Sequence, residues 1–234
     1  IKVTLRHRYA GTSLGMAWLI MGPAVLLGLY AAIYLVVFQV RPLEMSPDVY
    51  ILYIFSGLVP LINFSQGLAQ GAGSLQADKD VLLNTVFPPE LVPVREAAAS
   101  TAALVAGIVI VFLVGLFIGK TALTWLLVPI VLLFLVMFLV GLTWVLSLAN
   151  LVFRDIQQIL TYVTIILLIA SPIAYTPDMI PSAMQMLIYF NPLAYFVVGL
   201  QSLIVLGKLP DWPIFLGIFV FGLGSITLGS FIFN

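Results

Sequence analysis

Long apolar runs alternate along the chain with short clusters of charge, and the clusters set its layout. Charge is costly in hydrocarbon, so charged residues mark where the chain meets water. They leave seven uncharged stretches, 9–40, 49–77, 97–119, 121–153, 156–177, 179–207 and 212–234. A helix needs about 20 apolar residues to cross a bilayer, and six of these stretches contain such a run. The pattern predicts spans near 17–39, 49–69, 97–118, 125–149, 156–174 and 213–233. The runs are continuous and lack the alternation of a membrane strand, which excludes a β-barrel. The fold class expected is an all-α integral membrane protein forming one transmembrane domain over 1–234.

The stretch 179–207 differs, because Pro181 and Asn191-Pro192 interrupt it and leave fourteen continuous residues, Leu193 to Leu206. Pro172, Pro177, Pro181, Pro192 and Pro210 punctuate the region, each disfavouring helical continuation. Runs this short form re-entrant or interfacial segments, and irregular backbone at membrane depth needs protein or a water-filled cavity around it. The segment 175–211 is therefore expected as two short helices that dip into one face and return. The alternative is a seventh, kinked span.

Six spans with the N-terminus inside put Lys2, Arg6, Arg8, Lys79, Arg95 and Arg154 on the cytoplasmic side and Arg41, Lys120 and Lys208 outside, as the positive-inside bias requires. Both termini are then cytoplasmic. A seventh span would move Lys208 inward, so the charge count favours the alternative by one lysine while segment length favours six. Trp18, Trp125, Trp144 and Trp212 fall near predicted span ends, as in an aromatic belt. Residues 1–9 mix basic and apolar side chains ahead of the first span, the pattern of a segment lying in the cytoplasmic interface. The apolar run that follows is too long for a signal peptide and has no small-residue cleavage pattern. The sequence begins at Ile1 and ends at Asn234 against an apolar run, which reads as trimmed at both ends.

Composition sharpens this layout. Of 234 residues, 63% are apolar and 8% charged, with nine basic and nine acidic side chains. A water-facing surface needs about 25% charge, so a soluble enzyme and a disordered chain are excluded. Balanced charge excludes a nucleic-acid binder. The absence of Cys and the single His7 leave no thiolate or histidine metal site.

The missing chemistry is equally informative. Ion-coupled carriers place Asp, Glu or His within their spans, and no predicted span has one away from its ends. The carboxylates lie scattered at loops, without the clustered acid, base or metal set of a membrane-embedded enzyme. Gly115-Leu116-Phe117-Ile118-Gly119-Lys120-Thr121 ends like a phosphate-binding loop, but it has three residues between the glycines where four are needed and no preceding strand. If ATP drives this chain, a separate subunit binds it. A passive channel or scaffold is the competing class.

The longest predicted cytoplasmic loop, 70–96, carries Asp78-Lys79-Asp80 and then Phe87-Pro88-Pro89-Glu90-Leu91-Val92-Pro93. Charge followed by a proline-stiffened return suits either a rigid lever to a partner or a solvated connector. Gly11 with Gly15, Gly67 with Gly71, and the run Ala97 to Ala103 permit close helix packing, within the chain more readily than between chains. Tyr30, Tyr34 and Phe38 share one helical face, where rings stack on sugars as readily as on lipid or protein.

Several of these segments resemble a known family. Arg8-Tyr9-Ala10-Gly11-Thr12-Ser13-Leu14-Gly15 with Trp18 and Pro23, the proline return at 87–93, Phe153-Arg154-Asp155-Ile156, Ser171-Pro172-Ile173-Ala174-Tyr175 and Tyr189-Phe190-Asn191-Pro192-Leu193 are similar, in order, to segments of ABC-2 type exporter membrane subunits for bacterial surface polysaccharides. The likeness is nearest to the O-antigen branch, with capsule and wall-teichoic-acid permeases as relatives. It implies a homodimer of six-helix subunits in the bacterial inner membrane, joined to two copies of an ATP-binding subunit. The complex would export a polymer linked to undecaprenyl diphosphate. This chain would bind no cofactor, and ATP and Mg would sit in the partner. By the same likeness, Tyr30, Tyr34 and Phe38 become channel lining. Residues 1–15 would form an interfacial helix. Arg8, Arg154 and Asp155 would lie at a cytoplasmic gate or lipid-diphosphate contact, a role guanidinium groups suit; the alternative for the arginines is a plain positive-inside anchor. Asp78, Lys79, Asp80 and Glu90, within 76–91, would touch the ATPase, and Pro172, Tyr175, Asn191 and Pro192 would belong to an outer gate.

Overall fold

The computed structural model describes residues 14–33, 45–176 and 185–233. Most of the N-terminal segment, with Arg8, lies outside them, as do Tyr34, Phe38 and the stretch 177–184. A 3-10 turn, Gly15–Ala17, leads into α1, Trp18–Ala32. Then follow α2, Pro47–Ala77, α3, Lys79–Asn84, α4, Leu91–Phe117, and α5, Val128–Val152, with a 3-10 lead-in Leu123–Leu127. The chain continues through α6, Ile156–Ala170, α7, Gln185–Phe190, α8, Pro192–Gln201, and α9, Trp212–Phe233.

Four of these helices, α2, α4, α5 with its lead-in, and α9, are long and apolar enough to cross a membrane. Predicted spans 49–69, 97–118, 125–149 and 213–233 fall on them. Helix α6 has 15 residues, about 22 Å at 1.5 Å per residue, and stops short of residue 174. Proline disfavours helical backbone in the residue before it, and Ser171, before Pro172, is extended at ψ 137°. Helix α1 is described over 15 residues, and 34–39 of the predicted span lie outside the described part.

Helix α2 is the hub. Pro47 opens it in a position where its missing N–H costs nothing, and Asp48 sits favourably in its first turn. It packs on α4, α5 and α8 and more lightly on α1 and α6. Rings of Phe64, Phe138 and Phe196 stack in series at 5.1 and 5.6 Å, tying α2, α5 and α8.

The expected loop 70–96 is corrected by the structure to a connector over 78–90. Its first residues, 70–77, expected in the loop, continue α2. Gly71 lies against Thr143 of α5 with no room for a side chain, Ser74 Oγ donates to the Gly71 carbonyl at 2.8 Å, and Ala72 and Leu75 are buried. Tertiary packing here overrides local propensity. Gly67 similarly faces Ser100 and Leu139, so this small-residue pair serves packing within the chain. The false phosphate loop is a helix stop. Gly119 adopts φ +73°, its N–H reaches the Leu116 carbonyl, and Lys120 N–H bonds the Gly115 carbonyl at 2.8 Å, the paired bonds that end a helix on a left-handed residue.

Candidate functional site

Two polar constructions stand out, one at each end of the bundle. The first is built on the irregular segment 171–176. Ser171, Ile173 and Ala174 are buried, so the backbone here must find its partners inside the protein. Tyr50 of α2 donates to the Ala174 carbonyl at 2.8 Å, and Tyr53, three residues on, reaches the Tyr175 carbonyl at 3.4 Å. Gln201 of α8, 1% exposed, turns its amide nitrogen to the carbonyls of Pro172 at 3.0 Å, Ile173 at 3.3 Å and Tyr53 at 3.4 Å. Asn191 caps α8 by accepting the Leu193 N–H at 3.0 Å and donates to Ser171 Oγ at 2.9 Å. Four consecutive carbonyls, 172 to 175, thus each meet a side-chain donor from α2 or α8.

Helix α8 rises beside α5. Phe196 stacks on Phe138 at the middle of α5, while the far end of α8, a π-turn over Ser202–Leu206, meets the lead-in to α5. Wide turns leave carbonyls without helical partners. Thr124 Oγ1 donates to the Leu203 carbonyl at 2.6 Å and Trp125 Nε1 to the Ile204 carbonyl at 3.0 Å. Gly207, left-handed at φ +63°, closes the turn.

At the opposite end, the connector 78–90 hangs beyond α2 and α4. Arg95 on α4 bonds Asp78 at 2.7 Å and Glu96 at 2.9 Å, tying the start of the connector to the helix after it. Trp144 Nε1 donates to the Glu90 carbonyl at 2.9 Å, fixing its other end to α5. Between these ties, Val81, Leu83, Val86 and Phe87 are exposed.

The predicted site residues divide accordingly. Pro172, Tyr175, Asn191 and Pro192 converge on the first construction: the Pro172 and Tyr175 carbonyls are acceptors there, Tyr175 also donates to the Ala170 carbonyl at 3.2 Å, and Pro192 opens α8. Asp78, Lys79, Asp80 and Glu90 share the connector, with Lys79 and Asp80 exposed and Asp78 engaged by Arg95. Arg154 and Asp155 are exposed in the turn between α5 and α6. Tyr30 is half-buried on α1 against the core; its predicted companions Tyr34 and Phe38, like Arg8, are not among the described residues. A cavity of about 380 Å³ opens between α1, α2 and α4, where Asn63 and Gln66 supply the polar lining. Sequence reasoning missed Tyr50, Tyr53, Gln201 and Arg95. The available signal for Gln201 was its being the one strongly polar side chain in the run 193–206, a position polar groups occupy at some cost.

Known proteins share this sequence pattern over nearly its full length. The profile of the family described as "ABC-2 type transporter" matches residues 2–205. An O-antigen export system permease protein RfbA of Myxococcus xanthus is 27% identical over 215 residues, 90% of this chain and 80% of the relative. Two proteins of the same name from Klebsiella pneumoniae are 27% and 26% identical over 232 residues, 98% of this chain and 87% of each relative.

Proposed function

The chain belongs to the ABC-2 type transporter family, and from that premise we propose that it is the membrane subunit of an ATP-driven exporter of lipid-linked O-antigen polysaccharide. Relatives named as O-antigen export permeases across 90–98% of this chain carry the proposal. Family membership makes the chain a permease rather than an enzyme, so nucleotide hydrolysis falls to a separate ATP-binding subunit, with ATP and Mg bound there.

In this proposal the subunit has six spans, α1, α2, α4, α5, α6 and α9, with α7 and α8 forming the re-entrant outer segment and residues 1–15 an interfacial helix. The rise of α8 from the middle of α5 to its start supports the re-entrant path. Placed in the bacterial inner membrane with both termini cytoplasmic, the connector 78–90 faces the cytoplasm and presents Lys79, Asp80 and Glu90 with its exposed apolar side chains to the ATPase. Two copies of the permease join two ATPase subunits. Helices α1 and α6, in which Leu27 and Leu160 are the buried side chains among the described ones, offer the broad apolar faces a second copy would cover. Tyr30, with Tyr34 and Phe38, lines the sugar path. Arg8, Arg154 and Asp155 guard its cytoplasmic mouth, where guanidinium groups recognise the lipid diphosphate. Pro172, Tyr175, Asn191 and Pro192 belong to the outer gate.

Reconstituting the chain with its ATPase partner and adding the lipid-linked polysaccharide tests the assignment. Substrate is expected to raise ATP hydrolysis; tight assembly with no stimulation by substrate would overturn it.

A further inference from the structure

Gln201 occupies an unusual place. It lies within the apolar α8, is 1% exposed, and has only carbonyl oxygens before its amide nitrogen: Pro172 at 3.0 Å, Ile173 at 3.3 Å and Tyr53 at 3.4 Å. Acceptors on that side require the amide N–H pair to face them. Two hydrogens thus serve three carbonyls on two elements, the helix α2 and the irregular segment 171–176. The room for this amide is made by Gly57, where a β-carbon would stand 2.9 Å from the Gln201 nitrogen and 2.9 Å from Val197. A Cβ essentially never comes so close, so a larger residue at 57 would press on the amide. A helix position kept open for two neighbouring side chains of α8, one of which holds a non-helical segment against that helix, is the construction of a latch.

We propose that Gln201 is the positioning residue that keeps the segment 171–176 seated on α2 in the resting transporter, and so holds the outer end of the path shut. The proposal rests on the exporter reading for what the latch closes, but the latch itself is a property of α2, α8 and the segment 171–176. Tyr50 and Tyr53 hold the carbonyls of residues 174 and 175; Gln201 holds the two before them and, from α8, reaches both the segment and the Tyr53 carbonyl of α2. Loss of its amide leaves the Pro172 and Ile173 carbonyls without that donor in a site closed to water, which favours states in which the segment lifts away to be solvated.

The sequence has no cysteine, so one introduced thiol reports on one position. With the full chain and its ATPase partner in membrane fragments open to reagent on both faces, Ala174→Cys is labelled with a charged maleimide in the parent and in a Gln201→Leu background. The labelling rate is expected to rise about tenfold or more on loss of the amide. Ala72→Cys, at a buried site far along α2, is expected to stay unlabelled in both. Equal rates at position 174, or a rise at position 72 in step with it, would overturn the proposal. If Gln201→Leu does not insert, Gly57→Ala displaces the same amide without deleting a polar group and is held to the same outcomes. No nucleotide enters the labelling, so a parent complex that fails to export would sink the exporter assignment without touching this result.

Discussion

Gly141 and Gly229 bring α5 and α9 together at backbone distance. A β-carbon on Gly141 would overlap the Ser225 backbone, and one on Gly229 would overlap Gly141 itself. Ser225 Oγ donates to the Phe138 carbonyl at 3.0 Å, adding a bond at the same crossing. Lipid offers helices no hydrophobic reason to associate, so close backbone approach and interhelical hydrogen bonds supply the affinity. Gly141→Ala is therefore expected to destabilise the subunit by about 1–3 kcal/mol, the usual cost of overpacking. Gly224→Ala has nothing within 4 Å of its added carbon and should leave stability unchanged or slightly higher. Thermal unfolding of the two variants in detergent compares them, and equal loss in both would show that the crossing is looser than drawn. At this scale the sequence was legible where small residues recur at spacing four, as at Gly67 and Gly71. The α9 side of this crossing carries the same spacing at Ser225 and Gly229, a signal that sequence reasoning leaves unused, whereas the long-range donors Tyr50, Tyr53 and Gln201 act on carbonyls more than 25 residues away, which no local pattern encodes.

Among elements, the connector shows a charge cluster that also ties the chain to itself. Asp78 reads as a surface contact for an ATPase, yet its carboxylate is taken by Arg95 at 2.7 Å. The side chains are 38% and 25% exposed for Arg95 and Asp78, so the pair adds at most about 1 kcal/mol to stability. Its value lies in where it is: it joins the start of the connector to α4, and under the proposed function it would pass a push on α3 to that helix. Asp78→Asn and Arg95→Gln should each reduce substrate-stimulated ATP hydrolysis while leaving assembly with the ATPase intact. The double variant should lose no more than either single one, because removing either partner breaks the same tie. Additive losses, measured in reconstituted vesicles, would show two independent roles. Element positions were readable because charge at span ends is a strong constraint. Their limits were not, since buried packing carried α2 eight residues past its predicted end at 69, while Pro172 stopped α6 early.

Over the whole molecule, the apolar side chains exposed among the described residues fall into two settings, which answer to different solvents. On α6, Ile166 and Ile169 are 62% and 72% exposed along a continuous apolar helix, a surface suited to lipid or to a second copy of the chain. On the connector, Leu83 is 72% exposed and Val86 fully so, but these side chains lie between Asp78-Lys79-Asp80 and Glu90, past the ends of α2 and α4. Flanking charge keeps that segment out of hydrocarbon, and an apolar patch in water marks a protein contact. A charge placed on each surface separates the two. Val86→Asp should leave membrane insertion unchanged and reduce co-purification with the ATPase subunit by about tenfold or more, as loss of a central apolar anchor does at other interfaces. Ile169→Asp puts the same charge where lipid or a second subunit lies, at a cost of about 2.5–3.5 kcal/mol on an insertion scale, and should instead lower the amount of chain recovered in the membrane. Unchanged co-purification with Val86→Asp would move the ATPase contact away from the connector, to the exposed turn that carries Arg154 and Asp155.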